Sequence, residues 1–345
     1  MRRRRLLRPF RIPDHRDPAR HQGSPAFFQN FYARRVLRIF PLYYGALVVV
    51  AMLRLAMPGD HVWGSGGGLL APGSLLWPVI YLENYAIFLQ GPTVTGVMTH
   101  YWSLAVEEHF YLLWPLIVWL SSRRQIAAVA VLAIVVSIAL RAAVYAGGMD
   151  ITQATGLTPL RLDGLAAGAI ASLWLRAPVS PRTITRSAWA VLGIMGLILL
   201  GTIVGRHTLF QYDPVLWVFG YTLVAGVAAA GILAAMAPGL LRSVLSIGVL
   251  RWFGKYSFGL YVWHPIIAVV ILHSRAALVV EGQAMPVILL AVGFTFCMTL
   301  VVAWLSYHLW EKRFLLLKKY FQSATPAPLE GVPGGLWQPA ETPSR

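Results

Sequence analysis

The run Thr99–Pro115, THYWSLAVEEHFYLLWP, decides how the rest of the chain is read. It is apolar and aromatic on both flanks, yet it carries two adjacent carboxylates, Glu107 and Glu108. A charged side chain at the centre of a bilayer costs about 2.5–3.5 kcal/mol on insertion scales, so an acid inside such a run marks function by default. On a helix, Ser103, Glu107 and Tyr111 fall at i, i+4 and i+8 and share a face. Glu108 points about 100° away. One acid therefore faces a buried polar site while its neighbour looks elsewhere. The plainer alternative is a glutamate at the water-facing entrance of a helix; for Glu107 the functional reading is preferred.

The composition sets the frame around that run. Of 345 residues, 57% are hydrophobic and only 12% charged, where a soluble domain has about 25% charged. The chain reads as an all-α polytopic membrane protein. A net charge of +16 would suggest nucleic acid in a soluble protein. Here the basic residues sit mainly between apolar segments, so the positive-inside rule explains them better and no nucleic-acid partner is expected. The single cysteine, Cys297, cannot form an internal disulfide and reads as a small buried residue.

Residues 1–38 hold eleven arginines, four of them consecutive at Arg2–Arg5, with no apolar run of the length a signal peptide needs. Residues 1–30 read as a basic cytoplasmic segment facing anionic lipid. The apolar segments that follow are 31–57, 102–120, 126–146, 160–175, 188–204, 215–236, 244–272 and 285–309. A shorter one, Leu75–Leu89, is interrupted by Pro78, Glu83 and Asn84. If it crosses, Arg123, Arg124, Arg176, Arg182 and Arg186 fall outside; if it re-enters or lies at the interface, all of them fall inside. The second arrangement follows the charge bias. It gives eight spans over 31–320, both termini cytoplasmic, and outward loops at 58–73, 147–157, 206–213 and 274–284. Residues 321–345 contain five prolines and read as a disordered cytoplasmic tail.

Other polar residues fall in or beside the spans. Arg34, Arg35 and Arg38 crowd one helix entrance, with Pro41 just inside. Charge alone favours a membrane anchor over a phosphate clamp, although arginine forks bind phosphate oxygens bidentately. Arg161 and Asp163 open the span in PLRLDGLAAGAIA. At i, i+2 they do not face each other, so either one pairs elsewhere. Gly164 and Gly168 suit close helix packing. Arg141 falls near the outer interface. His264, among aromatics and followed by Pro265, reads more as a packing residue than as a catalyst. There is no metal-ligand spacing and no nucleotide-binding loop.

Four stretches, in order, resemble the acyltransferase-3 family of membrane acyltransferases. FYARRVLRIFPLYY resembles the family's arginine-rich helix entry, and HYWSLAVEEHFYLLWP its Trp-Ser-Leu-x-x-Glu-x-x-Phe-Tyr-Leu signature. PLRLDGLAAGAIA resembles its Arg-x-Asp-x-Leu-x-x-Gly segment, and LRWFGKYSFGLYVWHPII with LSYHLWEKRF its closing helices. The resemblance implies transfer of an acyl group, commonly acetyl, from cytoplasmic acyl-coenzyme A to a hydroxyl of an envelope glycan, a lipid-linked saccharide or a similar acceptor. It implies acyl-coenzyme A as donor substrate and no bound cofactor. It makes Arg35 and Arg38, with Arg34 beside them, candidate contacts to the coenzyme A phosphates. It makes Glu107 the matched acid, and Trp102, Ser103, Tyr111, Arg161, Asp163 and His264 candidate lining of the acceptor channel. The implied site is a bacterial cytoplasmic membrane.

One departure from the family is expected to matter. Members usually have ten helices, and the first carries a histidine thought to act as base. That start is absent; His15 and His21 lie in a polar, proline-broken segment. The chain therefore resembles a member lacking its first two helices, possessing Glu107 as the remaining candidate base. Two rivals stand beside this reading: a transporter or flippase, which would also hold intramembrane charges, and a non-catalytic scaffold of the same fold.

Overall fold

The computed structural model describes residues 26–56, 75–209, 213–273 and 285–321. Among them there is no strand. Each of the eight expected spans is a helix: α1 Phe27–Ala56, α4 Trp102–Leu120, α5 Arg123–Ala146, α6 Leu162–Leu175, α7 Pro181–Arg206, α8 Tyr221–Met236 (entered through a π turn, Leu216–Gly220), α9 Gly248–His273 and α10 Met285–Ser306. The short helices α2, Leu76–Val79, and α3, Glu83–Gln90, lie between α1 and α4. Five of the helical stretches are long and apolar enough to cross a membrane by length and composition. Of the rest, α6 has only 14 residues, and α4 carries Glu107, Glu108 and His109. The basic arm with His15 and His21, the loops 58–73 and 274–284, and the tail beyond 321 lie outside the described residues.

Local sequence explains where these helices start and bend. Ser122 and Gln125 close a capping box on α5, and Ser180 caps α7 with Pro181 in its first turn. Pro41 and Pro115 sit inside α1 and α4. Proline has no amide hydrogen to give the helix; the carbonyl of Pro41 itself accepts from Trp310 Nε1 at 2.9 Å. Gly96, at φ +54°, makes the turn that leads the chain into α4, a conformation an L side chain resists.

The expectation for Leu75–Leu89 resolves into a broken helix with one face buried in the bundle, at Tyr81, Glu83, Asn84 and Ile87, and the other exposed at Leu76, Ile80 and Leu89. Neither α2 nor α3 could cross, since their 4 and 8 residues rise only about 6 and 12 Å at 1.5 Å per residue. The break is at Tyr81, at φ +57°, whose ring stacks on Tyr43 with centroids 4.3 Å apart. Non-helical backbone at membrane depth survives only where protein covers it. Here the hydroxyls of Tyr43 and Tyr44 donate to the carbonyls of Pro78 and Val79 at 2.7 and 3.0 Å. The segment does not lie flat on the surface: Glu83 and Asn84 are wholly buried.

The main core joins α1, α4, α9 and the 3-10 stretch Pro92–Tyr101 around Leu42, Tyr43, Val50, Met98, Tyr101 and Val262. α1 and α4 run antiparallel, as the pairs Tyr32–Leu112, Arg35–Tyr111 and Tyr43–Tyr101 show. A smaller core of Ala154, Leu160, Trp217 and Val218 joins α5 to the π turn. Large apolar side chains remain on the outside of α7 and α10, Leu197 at 71% exposure and Leu290 at 73%; such apolar faces are suited to lipid rather than water. This is an integral membrane fold.

Two expectations are corrected here. Cys297 is exposed, not buried, because α10 is apolar all round and the periodicity does not say which face meets lipid. Gly164 and Gly168 are not close-packing points: a Cβ added at either would meet nothing within 4 Å. The close approaches are at Gly156, where a Cβ would stand 3.2 Å from Trp102, and at Gly226, against the flexible end of Met195.

Candidate active site

α4 presents three polar faces. The first holds the expected set Ser103, Glu107 and Tyr111. The Tyr111 hydroxyl lies 3.4 Å from Glu107 Oε2. The Arg35 guanidinium lies over the Tyr111 ring, 4.4 Å from its centroid, with Nη1 3.5 Å from the hydroxyl. Arg35 and Arg38 are both within electrostatic reach of Glu107. Arg34 turns aside, donating to the carbonyl of Phe321 at 3.0 Å. Lys318, which the sequence reading passed over, is within electrostatic reach of all three arginines. The cations crowd one end of the bundle beside Glu107.

The same face continues from Ser103 to α9. Ser103 Oγ hydrogen-bonds the Tyr261 hydroxyl, which donates to the carbonyl of His100 at 2.5 Å. The His264 ring stands 5.1 Å from that of His100. His264 Nδ1 lies 2.8 Å from the carbonyl of Tyr261, which can only accept, so Nδ1 donates there. His264 is exposed; it belongs to this track and does not touch Glu107's end of it.

The second face belongs to Glu108, turned away from Glu107 as the helical period requires. It lies within electrostatic reach of Tyr44 and Tyr81, as does Glu83. Glu108 Oε1 and Glu83 Oε2 are buried without a hydrogen-bond partner. Glu83 was visible in the sequence as an interruption of an apolar run, but nothing there placed it within reach of the same two tyrosines as Glu108.

The third face meets α6 and α8. Arg161 stacks over Tyr221 at 3.7 Å from the ring centroid and lies 5.2 Å from Trp102. Asp163 is not brought to this surface. Its Oδ2 accepts from Arg141 at 2.9 Å and from Thr222 at 2.5 Å, and its Oδ1 from the amide of Gly164 at 2.9 Å. Arg141 gives its remaining donors to the carbonyls of Val218 and Leu160. This pair is buried and saturated, with side chains 1% and 3% exposed. Arg141 lies near the end of α5, as expected, but faces the protein interior; its partner could not be read from an interval of 22 residues.

The acyltransferase-3 family, described as an acyltransferase domain, matches residues 23–308, and the chain belongs to it. Among similar proteins is peptidoglycan O-acetyltransferase OatA of Listeria monocytogenes, 28% identical over 256 residues, covering 69% of this chain and 40% of that one. "Putative peptidoglycan O-acetyltransferase YrhL" of Bacillus subtilis is 26% identical over 301 residues, covering 83% and 45%. "Putative O-acetyltransferase SACOL0978" of Staphylococcus aureus is 25% identical over 332 residues, covering 91% and 50%. The chain spans about half the length of the curated relatives it matches. No solved structure matches it significantly.

Proposed function

We propose that this chain transfers an acetyl group from cytoplasmic acyl-coenzyme A to a hydroxyl of an envelope glycan, in a bacterial cytoplasmic membrane with both termini of the chain on the cytoplasmic side. The observation that carries this reading is the order of groups along α4. A cation set fit for phosphates (Arg35 and Arg38, with Arg34 and Lys318 near) lies beside Tyr111. Trp102 and Arg161 lie at the other end, and Glu107 lies between. Nine residues separate Tyr111 from Trp102, about 13 Å of helix at 1.5 Å per residue. The donor's thioester would reach Glu107 from one side and the acceptor hydroxyl from the other.

In the step itself the hydroxyl oxygen attacks the thioester carbonyl; a C–O bond forms and the C–S bond breaks. Glu107 takes the hydroxyl proton and passes it to the departing thiolate, which leaves as coenzyme A thiol. The relatives named as O-acetyltransferases, two of them of peptidoglycan, support an envelope glycan as acceptor.

The test is transfer by the purified protein in lipid nanodiscs, fed labelled acetyl-coenzyme A and an envelope saccharide pool. Coenzyme A release with label on saccharide is expected. Glu107→Gln should lower turnover by about 10²–10⁴-fold, the usual worth of a positioned base, while its melting profile stays that of the parent. Turnover unchanged in that variant would overturn the role of Glu107; no label transferred at all would overturn the reaction.

A further inference from the structure

Between α5 and α6 the chain runs through an irregular buried stretch, Thr155–Arg161, whose polar groups are taken up by side chains of other elements. Trp217 Nε1 donates to Thr155 Oγ1 at 2.9 Å, and Asn84 Nδ2 to the carbonyl of Gly156 and to Thr158 Oγ1. His109 Nδ1 lies 2.7 Å from Thr158 Oγ1. Ser137 donates to the carbonyl of Pro159 and Arg141 to that of Leu160. At position 156 only glycine fits without displacing Trp102. So much pinning holds one loop in one conformation, and what that loop ends on is Arg161.

Arg161 is the group this apparatus leaves only partly satisfied: its side chain hydrogen-bonds Tyr221, and one nitrogen is left over. Its Nη1 is buried and has no hydrogen-bond acceptor. The ionic groups within reach are Asp163 and Arg141, and these neutralise each other at 2.9 Å. Among the described residues Arg161 is in no ion pair. The cluster of two arginines and one aspartate thus carries one uncancelled positive charge inside a membrane bundle. A buried charge without a counter-charge is costly. Aromatic faces at Tyr221 and Trp102 offset part of that cost and orient the guanidinium plane. They do not supply an acceptor for Nη1.

We infer that Arg161 is a receptor for an anionic oxygen group, a carboxylate or phosphate, borne by the acyl acceptor. The acceptor is then an acidic saccharide, held by its anion against Arg161 so that a hydroxyl about one and a half helical turns along α4 from Trp102 meets Glu107. The identity of the ligand as acceptor rests on the acyl-transfer reading; the anion site itself does not.

The experiment is calorimetric titration of the protein in phosphatidylcholine nanodiscs with a glucuronate-containing disaccharide and with its carboxyl-reduced counterpart. The acid should bind about tenfold or more tightly, as a charge-assisted hydrogen-bonded pair would give. Arg161→Gln should abolish that preference, while Arg124→Gln, an exposed arginine, should leave it intact. Should Arg161→Gln not fold, Arg161→Lys serves: it keeps the charge but loses the planar fork, and a several-fold loss is expected. Equal binding of the two sugars, or a preference unmoved by substitution at Arg161, overturns the proposal. Loss of the preference only in discs containing phosphatidylglycerol would assign the anion to a lipid headgroup and overturn the acceptor assignment. Label transferred equally to neutral and acidic sugars leaves acyl transfer standing and this proposal fallen. Acid-selective binding through Arg161 with no label transferred does the reverse.

Discussion

Arg141 and Arg161 flank the same aspartate and have opposite fates. Arg141 spends its donors on Asp163, Thr222 and two carbonyls, whereas Arg161 keeps one nitrogen buried and unused. Their substitutions should separate cleanly. Arg141→Leu strands Asp163 in an apolar interior, and breaking a buried pair by removing one partner costs about 3–5 kcal/mol. Its thermal transition in detergent should fall sharply, and the double change Arg141→Leu with Asp163→Leu should recover much of the loss. Arg161→Gln removes no ion pair, so its transition should stay near that of the parent. A larger loss at 161 than at 141 would contradict the assignment of the structural role to Arg141.

At the scale of elements, the stretch 155–161 behaves as a part set by its neighbours. Asn84 holds two of its groups at once. Asn84→Leu leaves the carbonyl of Gly156 short of a donor inside the bundle, while Thr158 keeps His109, a loss of about 1–3 kcal/mol. Amide hydrogen exchange at 155–161 should quicken in that variant while the amides of α7 are unchanged. Two aspartates at the ends of elements make a prediction about pH. Hydrogen bonds from Thr152 hold the Asp150 carboxyl below the usual carboxylate value, and Arg206 does the same for Asp213, which also accepts from the amides of Val215 and Leu216. A depressed carboxyl contributes stability that is present above its unfolded value and is lost as pH falls through the folded one. Acidification below about pH 4 should therefore speed exchange at the first turns of 151–154 and of the π turn. In Asp150→Asn that extra acid sensitivity should vanish at the first of them.

For the whole molecule, the proposed orientation can be read with a single thiol. Cys297 sits mid-helix on an exposed, apolar face. Neither a membrane-permeant nor a charged maleimide should label it in intact membranes, because a thiol facing lipid does not ionise, and both should label it once the protein is unfolded. In a Cys297→Ser background, Met149→Cys should react with the impermeant reagent from outside and Arg124→Cys only after the membrane is opened; both positions are exposed. The reverse pattern would invert the topology. The proposed transfer depends on that orientation, since donor and acceptor approach α4 from opposite ends.

How much of this was legible in the chain differs from place to place. The eight helices were, because long apolar runs separated by arginines admit few other solutions in lipid. The shared face of Ser103, Glu107 and Tyr111 was, because a helical period is local. The burial of Leu75–Leu89 was only half legible: Glu83 and Asn84 ruled out an ordinary span, but whether they met water or protein depended on Tyr43 and Thr158, far away in the chain. Gly164 and Gly168 looked like packing residues and are not, since spacing shows that a close approach is possible and not that a neighbour takes it.

By itself, then, the sequence determined the class of fold, the family and the acid-bearing face of α4, all properties of composition, ordered motifs and one helical repeat. Tertiary structure alone decided which charges are cancelled. Asp163 pairs with Arg141 and not with Arg161, although Arg161 is two residues away and Arg141 twenty-two. The reason is geometric: side chains two apart on a helix diverge, while α5 and α6 pack side by side and bring distant residues face to face. The charge left over at Arg161, and the site it defines, exist only because of that packing.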